Sequence, residues 1–134
     1  MKNEPMTKQR IEKYVRLRRE IGMLDTQIYL AQDDEYVADV VQNDLRRLVI
    51  RGYGSRAIPR LCARRARYEA ECDAIESFIE ELEDSIMRQI LTHRYIVGHT
   101  FEQTGELVGY SDRSVKRKVR DFFEKMSLDV TECP

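Results

Sequence analysis

The chain has few of the residues on which several function classes depend. Its three cysteines, Cys62, Cys72 and Cys133, are odd in number and show no CxxC spacing, and only His93 and His99 stand beside them. That set supports neither a disulfide framework nor a zinc site, so no metal and no cofactor are expected. No apolar run approaches the roughly 20 residues that cross a bilayer, which predicts no membrane partner. The first residues, "MKNEPMTKQRIEKY", lack the apolar centre of a signal peptide. A cytoplasmic location is the expectation that follows. No phosphate-binding glycine loop, nucleophile–histidine set or recognisable carboxylate pair occurs, so an enzyme is not expected. With six glycines and three prolines in 134 residues, and 35% of residues charged, the composition points to a helical protein with much solvated surface.

What the chain does have is charge, and it is segregated. The net charge is −1, so the molecule as a whole does not attract polyanions, and any attraction must be local. From Asp44 to Arg67 there are eight arginines (46, 47, 51, 56, 60, 64, 65 and 67) against one acid. From Glu69 to Asp84 there are eight acids and no lysine or arginine. The two stretches cancel in the sum.

Apolar spacing supplies the organisation. Tyr14, Leu17, Ile21, Leu24 and Ile28 recur at steps of three and four, a two-per-heptad seam on a helix over about 7–32. Gly22 inside it costs about 1 kcal/mol of helix propensity. A second seam runs through Tyr68, Cys72, Ile75, Ile79, Leu82 and Ile86, with Pro59 placed in the first turn of its helix. Narrow seams need partners, and the two predict a long antiparallel helical hairpin, with pairing to a second copy of the chain as the alternative. Between them, "YVADVV" and "RRLVIRGY" are rich in β-branched residues and predict a small β-hairpin over about 36–54. From Ile86 to Ile96 the apolar stripe widens, which requires more than one packing neighbour.

The last third carries the informative pattern. Thr100 is placed to cap a short helix over 101–108, "GYS" makes a tight turn, and Ser111 is placed to cap a final helix of about 15 residues. Short helix, glycine-containing turn and second helix are the parts of a helix-turn-helix. Gly105 falls where the two helices approach closely, and Gly109 where a left-handed residue ends the first helix. Phe101, Val108, Val115, Val119, Phe122 and Met126 are expected on the inner faces. Arg113, Lys116, Arg117 and Arg120 share the opposite side of the last helix, the width of which suits a major groove.

Residues 90–126, "ILTHRYIVGHTFEQTGELVGYSDRSVKRKVRDFFEKM", resemble the helix-turn-helix of phage-encoded transcriptional regulators related to region 4 of sigma factors. The matching residues are Arg94, Tyr95, Ile96, Gly98, Thr100, Phe101, Glu102, Gly105, Gly109, Tyr110, Ser111 and Val115. The wider layout is similar as well, although only the last third is specific. Two positions depart from the pattern: Thr104 stands where a large aliphatic residue is usual, and Lys118 where an apolar one is. The resemblance implies binding to promoter DNA, or to RNA polymerase and DNA together, in switching on late phage genes.

These readings compete with plainer ones. A basic helix face can be ordinary solvated surface; the capped turn before it favours DNA contact through Arg113, Ser114, Lys116, Arg117 and Arg120, with Thr100 and Ser111 as phosphate ligands at helix N-termini. For the arginine-rich segment, decoration and a second backbone contact through Arg46, Arg47, Arg51 and Arg56 stand level. The acidic run reads as the solvated face of its helix, His93 and His99 as structural or exposed rather than catalytic, and Cys72 as a small core residue. The expectation is thus a mainly α protein with a helical hairpin region over 1–83, a helix-turn-helix domain over 84–127 and a tail over 128–134. Its expected function is DNA-binding transcription regulation, with double-stranded DNA as partner and RNA polymerase or a homodimer partner left open. A DNA-packaging protein of the small-terminase type and a polymerase-docking module are the alternatives.

Overall fold

The computed structural model describes residues 4–40 and 57–132, and among these the chain is helical, with no strand. Six α-helices follow in order: α1 (Lys8–Glu12), α2 (Tyr14–Val40), α3 (Ala57–Glu80), α4 (Ser85–Leu91), α5 (Phe101–Val108) and α6 (Asp112–Glu132), with a π-helical segment Thr92–Val97 after α4. They divide into two compact units, one of Met1–Val15 with Cys72–Pro134 and the other of Arg16–Glu71.

In the unit Arg16–Glu71, the first seam is buried as its spacing requires: Leu17, Ile21 and Leu24 are inside, and Ala31 is fully buried. Leu24 clusters with Ala57 and Leu61 of α3, with Ile28 and Tyr68 packed on the group. Side chains of this kind contribute about 1.5–3 kcal/mol each when fully buried. Ion pairs follow the same direction. Arg18 reaches Glu69 at 3.2 Å, and Arg65 reaches Asp25 at 2.5 Å. Later residues of α2 therefore meet earlier residues of α3. The Asp25 hydrogen bond, then its charge, holds the Arg65 guanidinium above its ordinary pKa.

The other unit centres on Ile75 and Ile79 of α3, Met87, Ile90 and Leu91 of α4, Tyr95, and Val115, Val119 and Phe123 of α6. The N-terminal segment joins it. Thr7 caps α1 by accepting from the Arg10 amide, Ile11 is fully buried, and Lys8 Nζ lies 5.8 Å from the centroid of the Phe123 ring. The Tyr14 hydroxyl donates to Glu76.

Four expectations change. The helix expected over 7–32 is interrupted at Lys13, whose amide turns back to the Arg10 and Ile11 carbonyls. Tyr36–Val40, expected to begin a strand, are the last residues of α2. Val37 and Val40 stand three apart, a spacing that suits a helix too, and β propensity is weak against an established helix. The rest of the expected hairpin, 41–54, lies outside the described residues. The second seam is not one helix, because α3 stops at Glu80 and Asp84 starts α4 by accepting from the amides of Ile86 and Met87. At the C-terminal end, α6 continues to Glu132 through most of the segment expected as tail.

Candidate nucleic-acid interface

The approach to the motif is set by a change of helical pitch. After Leu91 the backbone opens into π geometry, and the amides of Gly98 and His99 both donate to the His93 carbonyl, at 3.2 and 2.9 Å. Gly98 closes the segment at φ 95°, a left-handed conformation that glycine adopts without strain. Across this loop the rings of His93 and His99 stack, with centroids 5.6 Å apart. Arg94 donates to the His99 carbonyl at 3.1 Å and lays its guanidinium over Phe101, 4.4 Å from the ring centroid. Tyr95 is buried, and that burial raises its phenol pKa above the ordinary value of 10.0, against the opposing charge of Arg94 and with a smaller push from Glu12.

Thr100 then starts α5 with a capping box. Its hydroxyl accepts from the Gln103 amide at 3.0 Å, and the Gln103 side chain accepts from the Thr100 amide at 2.9 Å. The helix ends at Gly109, φ 84°. The amides of Gly109 and Tyr110 converge on the Gly105 carbonyl at 2.8 and 3.0 Å, drawing the turn back over the helix. A Cβ on Gly105 would sit 2.4 Å from the Tyr110 carbonyl oxygen. Glycine is needed there because the turn crosses directly above the helix. Ser111 starts α6: its Oγ accepts from the Ser114 amide at 3.1 Å and donates to the Ser114 hydroxyl at 3.0 Å.

α6 divides cleanly. Val115 and Val119 are buried, and the deepest aromatic is Phe123 rather than Phe122, which is half-buried. Phe123 packs edge-on against Tyr95 with centroids 5.8 Å apart. Phe101, Val108 and Met126 are half-buried. Lys118 sits where the inner face meets solvent, half-buried, with Nζ 5.0 Å from the Tyr110 ring centroid. Thr104 is fully buried, and its hydroxyl has no hydrogen-bond partner among the described residues.

On the other side, Arg113, Lys116, Arg117 and Arg120 are exposed. Lys116 pairs with Asp112 at 3.6 Å and Arg120 with Asp121 at 3.4 Å; both are surface pairs of small energetic weight. Arg113 and Arg117 make no ion pair or hydrogen bond among the described residues. The geometry thus brings the four basic residues onto one face. It commits the side chains of Thr100 and Ser111 to capping and leaves Ser114 half-buried against Ser111. At these two helix starts, a phosphate would be met by the free first-turn amides. Arg46, Arg47, Arg51 and Arg56 lie outside the described residues.

Sequence reading overlooks that Arg94 and Lys116 both lie over the Phe101 ring, with Lys116 Nζ 5.9 Å from its centroid. No periodicity signals this, because the two cations come from different elements. The same unit carries a groove of about 550 Å³ lined by Phe78, Leu82, Ile86, Met87, Phe122 and Met126 together with the charged Asp84, Lys118, Asp121 and Lys125. Among the described residues no group of three or more histidine, cysteine or acidic side chains is arranged to hold a metal, and no helix is long and apolar enough to cross a membrane. Compared with protein-family models, curated proteins and solved structures, the chain matches none of them.

Proposed function

We propose that the protein is a DNA-binding transcriptional regulator of phage or prophage type, in which α5 and α6 act as a helix-turn-helix and α6 enters the major groove of double-stranded DNA. α2 and α3 act as its supporting helical hairpin. The observation that supports this most is the face of α6. It carries four exposed cations, two of them without an acidic partner among the described residues, on a helix fixed by Gly105, Gly109 and Ser111. A helix about 10–12 Å across with its side chains fits a major groove about 12 Å wide. Arg113 and Arg117, one turn apart near the helix start, face the base edges; Lys116 and Arg120 face phosphates. The resemblance of residues 90–126 to sigma region-4-like regulators points the same way.

The test is binding to duplex DNA from the gene's own neighbourhood across a salt series, with an Arg117→Ala, Arg120→Ala double variant alongside. The reading expects tight, salt-dependent binding, and a log–log slope flattened by about 0.9 for every phosphate that the variant no longer neutralises. Equal binding by both proteins would refute it. A docking role on RNA polymerase is the second reading, favoured by the groove in which Phe78 and Phe122 lie among Asp84, Lys118, Asp121 and Lys125. Polymerase binding that survives neutralisation at 113, 116, 117 and 120 would select it. Rings of eight or more chains would select DNA packaging.

A further inference from the structure

The arginine-rich segment reaches into the described residues at the start of α3, and there its cations fall into two groups. Arg65 is half-buried and tied to Asp25 and Glu69. Arg60, Arg64 and Arg67 are exposed and have no ion pair or hydrogen bond among the described residues. Steps of four and three put these three in one stripe along the helix, bordering the side that buries Ala57 and Leu61.

Two features set this stripe apart from ordinary solvated surface. Its position is unfavourable for folding: α3 has no acid in its first turn, so Arg60 stands at the positive end of the helix dipole, and the three cations repel one another at i, i+3 and i+4. Its chemistry is also uniform, since no lysine occurs between Lys13 and Lys116. The planar guanidinium binds phosphate oxygens in pairs, which a lysine ammonium does not.

We propose that Arg60, Arg64 and Arg67 form a second nucleic-acid contact that tracks the sugar–phosphate backbone of double-stranded DNA. Seven residues of helix place the outer two about 10 Å apart, and phosphates of one strand advance by about 3.4 Å along the axis, so the stripe spans about three of them. It carries no base reading; it adds affinity and salt dependence. The inference shares its ligand with the proposed function but uses different residues, so the two fail separately.

The experiment measures binding of the full chain to a 30-base-pair duplex of arbitrary sequence across a salt series. An Arg60→Gln, Arg64→Gln, Arg67→Gln variant should lose about 2–3 units of log–log slope, about 0.9 per phosphate. The corresponding lysine variant, which keeps the charge, should lose little slope. The glutamine variant's melting temperature should be equal or higher, since repulsion is relieved. Single Arg60→Gln, Arg64→Gln and Arg67→Gln changes, at about 0.9 each, read the same quantity if the triple variant does not fold. An unchanged slope overturns the proposal, as does a loss confined to single-stranded RNA of the same length. If the α3 variant loses slope while a Lys116→Gln, Arg120→Gln variant does not, this inference stands and the phosphate contacts proposed for α6 do not.

Discussion

The same substitution at two glycines should act with opposite sign. At Gly22, inside α2, a Cβ meets nothing within 4 Å. Alanine there removes the entropic cost of glycine in an exposed helix and should stabilise by about 0.5–1 kcal/mol. At Gly105 the propensity gain is similar, but the new Cβ lies 2.4 Å from the Tyr110 carbonyl oxygen and 3.4 Å from the Ser111 carbonyl carbon. The first distance is about 1 Å short of an ordinary approach, and the obstacle is backbone, which no rotamer change relieves. Moving the turn also stretches the two bonds that converge on the Gly105 carbonyl, each worth about 0.5–1.5 kcal/mol net. Overpacking of this kind costs about 1–3 kcal/mol. The sum for Gly105→Ala is a loss of about 2 kcal/mol after the helix gain. At about 4 °C per kcal/mol for a chain of this size, thermal unfolding followed by circular dichroism should fall by about 8 °C for Gly105→Ala. It should rise by about 2–4 °C for Gly22→Ala. Stabilisation by Gly105→Ala would refute the close crossing of turn and helix.

Two further changes test single groups in the same unit. Thr104→Val keeps the shape and removes a buried hydroxyl without a partner among the described residues; urea denaturation should show a gain of about 1 kcal/mol, and a loss would mean that the hydroxyl is bonded. Tyr95 has a phenol pKa raised by burial. The folded state therefore holds that proton more tightly than the unfolded state. The resulting stability is fully present below the unfolded value of about 10 and is lost as pH rises through the folded one. Tyr95→Phe should flatten the fall in melting temperature above pH 10, and an unchanged alkaline limb would contradict the assignment.

The parts of the fold that are legible in the sequence are those carried by local rules. Tyr14, Leu17, Ile21 and Leu24 repeat at helical spacing, and all four are buried. Thr100, Gly109 and Ser111 each sit at a helix end where a hydroxyl cap or a left-handed residue is needed, and each fills that role. The break at 81–84 is harder to read, because Leu82 and Ile86 continue the heptad across it. Its signal is Asp84 before Ser85, a capping residue masked by the acidic run around it. That run has the pattern of a solvated face, yet Glu69 pairs with Arg18, Glu76 accepts from Tyr14 and Asp84 caps α4. The π-helical segment has no local signature, since its bonds depend on where Gly98 and His99 turn. The exchange of Phe122 for Phe123 as the deepest aromatic depends on Tyr95, brought up by another element. Tertiary neighbours of this kind leave no periodic trace.

The central claim is that α6 reads bases, and selection from a pool of random duplexes tests it most directly. The full chain should enrich a defined motif, and Arg113→Ala or Arg117→Ala should relax that motif at one or two positions, each worth about 1–3 kcal/mol of discrimination. Arg60→Gln should weaken binding to every sequence alike and leave the motif unchanged. Enrichment of no motif, or of one indifferent to Arg113 and Arg117, would contradict the account.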